Sequence, residues 1–377
     1  MRSTHDEPAP QVSSRRAHAV PVGPLALGLA TVGALAALLI GLLTFGVQAT
    51  VEPRQVPLAI GASTPAAATA LAPALDRVTG QGGDAISWRR VDSRTEAERL
   101  MDSKEAYGAV LFGPTPSGLT ATVLLSGALN PSATQVALPV LTQVAEGVTA
   151  AARAQAASRP PQPAGGAPAT SAPGAPTPAV EIVTLHPTSA AGRTLPLAAS
   201  ALLWLATLAT NVLVVVLAPM IRPGRPLGRI AWVGAAVAGA LLGTVAVLGL
   251  ARLWDAAIPL GWEAAGFLAL VGTAFALLQA AVLRWLGLRG VVLLGLLYLM
   301  APSVAGLVPE LINPVYRALL WSWTPFRFSS EGLRSLLFLG SGSSDVQVAL
   351  WVFGGLALSG LLLMLAPKPT RRGATAT

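Results

Sequence analysis

The 377-residue sequence predicts an α-helical polytopic membrane protein with six transmembrane helices, a re-entrant outer hairpin before the last, and a small extracytoplasmic α/β domain between the first and second spans. Three observations carry that expectation. Only 11% of residues are charged against 53% hydrophobic, about half the charge of an ordinary soluble domain. Several windows stay apolar for the roughly 20 residues that a bilayer crossing needs. Between the first two of these windows lies polar sequence that alternates strand-like with helix-like patterns.

Residues 1–22 hold Arg2, Arg15, Arg16 and His18 among Ser, Pro and acidic residues, without an apolar period, and read as a disordered cytoplasmic tail. Residues 23–47 form the first span. A signal peptide competes, because a basic region precedes the run. The run exceeds the roughly 7 to 15 residues of a signal h-region, and Val47-Gln48-Ala49 is a weak cleavage signal, so an uncleaved anchor is preferred.

Residues 48–157 read as the extracytoplasmic domain. Val56–Ile60 is a strand, Pro65–Val78 an Ala-rich helix and Ala85–Val91 a strand. Ser93 to Lys104 is a charged helix opened by a capping box of Ser93 and Glu96. Strands at Tyr107–Phe112 and Leu119–Leu125 follow. Pro131–Ala157 is one long helix in which Val136, Val140, Val144 and Val148 recur every four residues. Residues 158–179 are a Pro/Ala/Gly linker without core-forming residues, and residues 180–194 lead back to the membrane, with an edge strand at Glu181–Thr184.

A five-helix membrane domain then fills residues 195–366, with spans at about 195–221, 230–250, 262–283, 288–308 and 346–366, and residues 367–377 form a tail. Gly234, Ala238, Gly239 and Gly243 give the third span small faces for close helix contact. Cations set the orientation. With the N-terminus inside, the inner side holds Arg2, Arg15, Arg16, Arg222, Arg225, Arg229, Arg284, Arg289, Lys368, Arg371 and Arg372. The short outer loops hold Arg252, Arg317, Arg327 and Arg334, mixed with acids, which satisfies the positive-inside rule with both termini cytoplasmic and residues 48–194 outside. The net charge of +8 is accounted for in this way and gives no sign of nucleic-acid binding.

The most specific stretch is residues 291–340. It starts as a span, breaks at Ala301-Pro302-Ser303, and passes Gly306 and Pro309. Proline lacks an amide and frees a carbonyl, so such a break must be sheltered by protein or water. Glu310–Arg317 and Ser330–Phe338 read as two short helices that dip without crossing, with Trp321, Trp323, Phe326 and Phe328 between them at interface depth. The pattern Pro302-Ser303-x-x-Gly306-x-x-Pro309-Glu310-Leu311-Ile312-x-Pro314, then Pro325-Phe326 and Glu331-Gly332-Leu333-Arg334, resembles the fifth span and outer hairpin of type-2 ABC exporter permeases. It is most similar to the phage-infection-protein (Pip/YhgE-like) subgroup, which also carries an outer insertion with a Tyr-Gly-Ala step like Tyr107-Gly108-Ala109.

That resemblance implies a permease subunit moving a hydrophobic or cell-envelope substrate outward, paired with itself or a related permease, with ATP hydrolysed by a separate subunit. It implies an outer gate at Pro302, Ser303, Gly306, Pro309, Pro314, Pro325, Glu331 and Arg334, and an ATPase-facing loop at Arg222, Arg225 and Arg229. Two departures keep a non-transporting membrane receptor or scaffold open as the alternative. The N-terminal tail shows no amphipathic helix, and the loop RPGRPLGR contains two prolines.

No catalytic set is expected. The chain has no GxxxxGK[ST] stretch for ATP phosphates. Its histidines, His5, His18 and His186, lack partners at metal spacing, and cysteine is absent, so neither a metal nor a cofactor is expected. Ser200, Ser303 and Ser359 have no intramembrane base and read as polar helix contacts. Asn211 and Gln279 lie within spans, as interhelical hydrogen-bonding groups or as path-lining ones. Glu310, Arg317, Glu331 and Arg334 are spaced for ion pairs within the hairpin. Trp88, Arg89, Arg90, Arg94, Glu96, Glu98 and Arg99 read as a solvated surface, with a binding patch as the minority reading.

Overall fold

The computed structural model describes residues 22–80, 83–115, 118–158, 180–221, 223–224 and 227–367. The expectations for the two tails and the linker therefore lie almost wholly outside the described residues, as do Arg222 and Arg225.

The chain is a mostly helical membrane protein carrying a small α/β unit near its N-terminus. Helix α1 (Val22–Ala49) enters that unit. The unit runs β1 (Val56–Ala62), α2 (Pro65–Gly80), β2 (Ile86–Val91), α3 (Arg94–Asp102), β3 (Ala109–Thr115), β4 (Gly118–Ser126), α4 (Pro131–Ala157) and β5 (Val180–Leu185). Its sheet has the order β2-β1-β3-β4-β5. Strand β1 pairs in parallel with β2 and β3, β3 and β4 form an antiparallel hairpin, and β5 is parallel to β4. Helices α2 and α4 border one groove of the unit, and α3 packs on β1, β2 and β3. Leu58, Ile60, Leu75, Met101, Phe112, Leu124 and Leu141 are fully buried between the layers.

Local chemistry explains these elements. The Ser93 hydroxyl accepts from the Glu96 amide at 3.2 Å, and the Glu96 carboxylate accepts from the Asp92 amide at 3.0 Å, capping α3. Gly61 lies so close to β2 that a Cβ would sit 1.9 Å from the Val91 carbonyl oxygen. In α4 the fully buried stripe is Ala133, Ala137, Leu141 and Ala145. The every-fourth valines are only partly buried beside it. Small residues let α4 approach the sheet, and the valines bracket that contact.

Four further helices are long and apolar enough to cross a membrane: α5 (Ala190–Ile221), α6 (Arg229–Trp254), α7 (Trp262–Leu286) and, at the end, α11 (Ser344–Leu365). With α1 they make five candidates among the described residues. Helix α7 is the hub, buried over 67% of its most apolar window against 22% for α5. Glycine allows the closest approach: a Cβ on Gly360 of α11 would lie 2.8 Å from backbone atoms of Leu277 and Leu278 in α7. Gly239 and Gly243 face Thr210 and Ala206 of α5, whereas Gly234 faces open space.

The sixth expected span falls short. Helix α8 (Arg289–Ala305) has 17 residues, about 26 Å of rise against a hydrocarbon core of about 30 Å. The break expected at Ala301-Pro302-Ser303 does not occur there, because α8 continues to Ala305 and bends away at Gly306. The Ser303 carbonyl accepts from Gln48 Nε2 at 3.2 Å.

The segment that follows also differs from the expectation of two short helices. Pro309–Leu311 is a 3-10 turn, Pro314–Tyr316 (α9) is one short turn, and Arg317–Trp321 widens into a π-helical turn. Helix α10 (Pro325–Phe338) starts five residues earlier than Ser330, with Pro325 at its first position, where a fixed φ and missing amide cost nothing. Phe326, expected at an interface, is instead 1% exposed.

Candidate functional site

A set of backbone and side-chain hydrogen bonds joins the α/β unit to the hairpin between α8 and α11. Its backbone comes first. The Glu52 amide donates to the Leu311 carbonyl at 3.3 Å and the Arg54 amide to the Glu310 carbonyl at 2.9 Å. The Val308 amide donates to Ser132 Oγ at 3.2 Å. Val308 and Leu311 belong to the hydrophobic core of the α/β unit itself.

Over this apolar joint lies a charged cluster centred on Glu331. Its Oε1 accepts from Arg334 at 2.5 Å and from Asn130 Nδ2 at 2.9 Å, and its Oε2 from Lys104 Nζ at 2.9 Å. Lys104 also meets Asp345 at 2.6 Å, and Asp345 accepts from Ser335 Oγ at 3.1 Å. Burial would raise the Glu331 pKa, but Arg334 and Lys104 outweigh it and hold the carboxyl at about 2. Nearby, Tyr107 Oη donates to Glu310 Oε2 at 2.9 Å. Burial, and then the Glu310 charge, push the phenol above its ordinary range, so it stays a donor.

Lys104 is placed there by an unusual backbone. It has φ +59° just after α3, where glycine is the usual residue, and its amide donates to the Met101 carbonyl at 3.1 Å. It is one of two lysines in the sequence, the remaining cations being arginines. A compact ammonium with three donors suits two carboxylates on different helices.

Helix α10 continues from this cluster into the helical bundle. Ser329 Oγ is 2.7 Å from Ser200 Oγ of α5. Phe326 packs against Trp204, Phe275 and Tyr298 at ring separations of 5.1, 5.4 and 6.5 Å. Gly332 permits contact with α7 and α11, since a Cβ there would lie 2.8 Å from both Ala349 and Phe267.

The expected site residues divide by location. Glu331 and Arg334 pair with each other, whereas Glu310 goes to Tyr107, and Arg317 forms no ion pair among the described residues. Pro309, Pro314 and Pro325 each open a helical turn. Ser303 Oγ donates to the Met300 carbonyl at 2.7 Å. Pro302 lies within α8 and Gly306 just past it. Asn211 joins three helices, donating to the Ala276 carbonyl of α7 at 3.1 Å and accepting from Trp232 Nε1 of α6 at 3.1 Å. Gln279 donates to the Trp204 carbonyl at 3.0 Å, and its Oε1 and the Trp204 Nε1 are buried without partners among the described atoms.

Arg229 lies at the opposite end of the bundle. It donates to the Leu365 carbonyl at 2.8 Å, beside Arg284, which reaches the Leu363, Met364 and Ala366 carbonyls. These guanidinium groups satisfy the open carbonyls that end α11. A separate groove of about 840 Å³ runs between α2 and α4, lined by Trp88, Val140, Val144, Val148 and Arg77 among others. Sequence reasoning did not identify Lys104, Asn130 and Tyr107 as partners of the hairpin. The scarcity of lysine was the available signal. Among the described residues no three His, Asp or Glu side chains group as metal ligands.

No family model and no solved structure matches the chain. Among curated proteins, it is 33% identical over 135 residues to an "Inner membrane-spanning protein YciB" of Acidovorax sp., a match covering 33% of this chain and 72% of that protein.

Proposed function

Over the matched third, the chain belongs to the family of the inner membrane-spanning protein YciB, and on the premise of a multi-pass membrane protein we propose that it is a type-2 ABC exporter permease subunit. It moves a hydrophobic or cell-envelope substrate outward, and a separate subunit hydrolyses ATP. In this reading α8 is a sixth, short span, both termini are cytoplasmic, and the α/β unit is extracytoplasmic.

The observation that carries the proposal is α10. Its first turn packs on Phe275, which lies roughly 20 Å along α7 from Trp262 and roughly 14 Å from Arg284 at 1.5 Å per residue. Its last turn comes near Gly192 in the first turn of α5, beside the α/β unit. A helix that starts at mid-depth and returns to the outer side is a re-entrant plug. The Glu331 cluster ties that plug to the domain above it.

One observation favours the second reading, a non-transporting receptor or scaffold. Arg229 of the expected ATPase-facing loop is engaged by the end of α11. Affinity purification from native membranes in mild detergent, with mass spectrometry and an ATPase assay, separates the two. A stoichiometric nucleotide-binding subunit with hydrolysis supports the exporter. A cross-linked preparation without any ATPase overturns it and leaves the receptor.

A further inference from the structure

Arg327 is held unlike the other cations at the helix ends. Its guanidinium lies 3.8 Å from the Trp321 ring centroid and 4.0 Å from that of Phe328, a cation stacked between two aromatic faces. Among the described residues its guanidinium makes one long hydrogen bond, from Nη2 to the Ser322 carbonyl at 3.4 Å, and its Nε is buried without a partner. A guanidinium has five N–H donors. By contrast Arg252 reaches three carbonyls, Arg284 three, and Arg334 is paired with Glu331. The nearby carboxylates of Glu331 and Asp345 already contact Arg334 and Lys104. The position of Arg327 is thus fixed by stacking, and its donors are largely unmet among the described residues.

Its surroundings define what would meet them. The preceding turns carry Val315, Leu319 and Trp323 at intervals of four, exposed by 61, 60 and 51%. Such a stripe suits acyl chains, and a soluble anion would gain nothing from it. Trp321 Nε1 donates to the Leu307 carbonyl just past the end of α8, which draws the stacked guanidinium outward from its mid-depth neighbour Phe326, and Tyr316 Oη donates to the Leu42 carbonyl about 10 Å short of the end of α1.

We propose that Arg327, held between Trp321 and Phe328, binds the phosphate headgroup of an anionic lipid whose acyl chains lie along Val315, Leu319 and Trp323. Planar N–H pairs match phosphate oxygens in two-point contact, and at low dielectric a charge-assisted bond of this kind is among the strong ones. The site rests on the hairpin's placement in the outer half of the bilayer, and not on transport.

The test uses the full chain with Leu319→p-benzoylphenylalanine in nanodiscs of phosphatidylcholine containing one-fifth phosphatidylglycerol, with photoadducts identified by mass spectrometry. Phosphatidylglycerol adducts enriched at least about fivefold over its bilayer fraction are expected. Arg327→Gln should abolish the enrichment while phosphatidylcholine adducts persist, and Arg327→Lys should retain part of it. Adducts in proportion to bilayer composition in the Arg327 protein overturn the site, even if Arg327→Gln fails to fold, and so does enrichment that survives Arg327→Gln. Absence of any lipid adduct overturns the hairpin's bilayer placement as well.

Discussion

Replacing Glu331 with Gln should damage the protein more than removing any one of its partners. Arg334 is 4% exposed in its side chain and Glu331 is its carboxylate, so Glu331→Gln strands a buried guanidinium. Leaving such a charge uncompensated costs about 3–5 kcal/mol. Lys104→Met removes a charge-assisted hydrogen bond to Glu331, worth about 1.5–3 kcal/mol, and a contact to the part-exposed Asp345, worth about 1 kcal/mol or less, but it strands no buried charge, because Glu331 keeps Arg334 and Asn130 and Asp345 keeps Ser335. Asn130→Ala removes a neutral donor and should cost about 1 kcal/mol. The order is therefore Glu331→Gln, then Lys104→Met, then Asn130→Ala. Thermal unfolding in detergent, with limited proteolysis of the joint between α/β unit and hairpin, measures it. The double change Glu331→Gln with Arg334→Met removes the stranded charge and should recover part of the loss. The reasoning is refuted if Lys104→Met matches or exceeds Glu331→Gln, or if the double variant is no better than Glu331→Gln alone.

Acid should loosen the same joint. Glu331 is held at about 2 against an ordinary 4.5, so its contribution is complete above about pH 4.5 and is lost as pH falls towards 2. Proteolysis of the joint should rise across that window and change less in Glu331→Gln. Gly360→Leu should separate α11 from α7, since backbone atoms of α7 already lie 2.8 Å from a Cβ at that position. The expected readout is aggregation on size-exclusion chromatography, while Gly234→Ala, which meets nothing within 4 Å, behaves as the parent. Asn211→Leu should cost about 0.6–2 kcal/mol in thermal unfolding, because Trp232 Nε1 loses its acceptor in an apolar surrounding.

Much of this architecture is legible in the residues because each local signal agrees with its neighbours. The polar stretch between two apolar runs gave the α/β unit, and the capping box marked the start of α3. Where the reading failed, a local rule lost to a longer-range one. Pro302 suggested a break, but the helix runs one more turn, to Ala305. The aromatic residues near Pro325 suggested an interface, yet Phe326 is buried by Trp204 and Phe275, which lie about 120 and 50 residues earlier in the sequence. No periodicity announces such a contact. The same holds for Lys104 and Asn130, which meet Glu331 across more than 200 residues. The hairpin could be recognised as unusual, but its partners could not be named.

Those distant partners supply a test of the gate within the exporter reading. Glu331 lies midway along α10, bonded to the α/β unit on one side, while Phe326, five residues earlier, is packed in the aromatic cluster of the bundle. A helix is stiff over so short a span, so movement of the α/β unit displaces Phe326, and the reverse. An exporter that opens outward past α10 while the α/β unit stays in place must therefore release Lys104 and Asn130 from Glu331 during its cycle. The natural chain has no cysteine, so Lys104→Cys with Glu331→Cys, made in an Arg334→Met background so that no buried guanidinium is stranded, can be bridged by a short bis-thiosulfonate to fix the joint. Transport-coupled ATP hydrolysis should fall by at least tenfold on bridging and return on reduction, with each single cysteine variant unaffected by the reagent. Full hydrolysis and export in the bridged protein would show that the joint need not open, and would remove α10 from the gate.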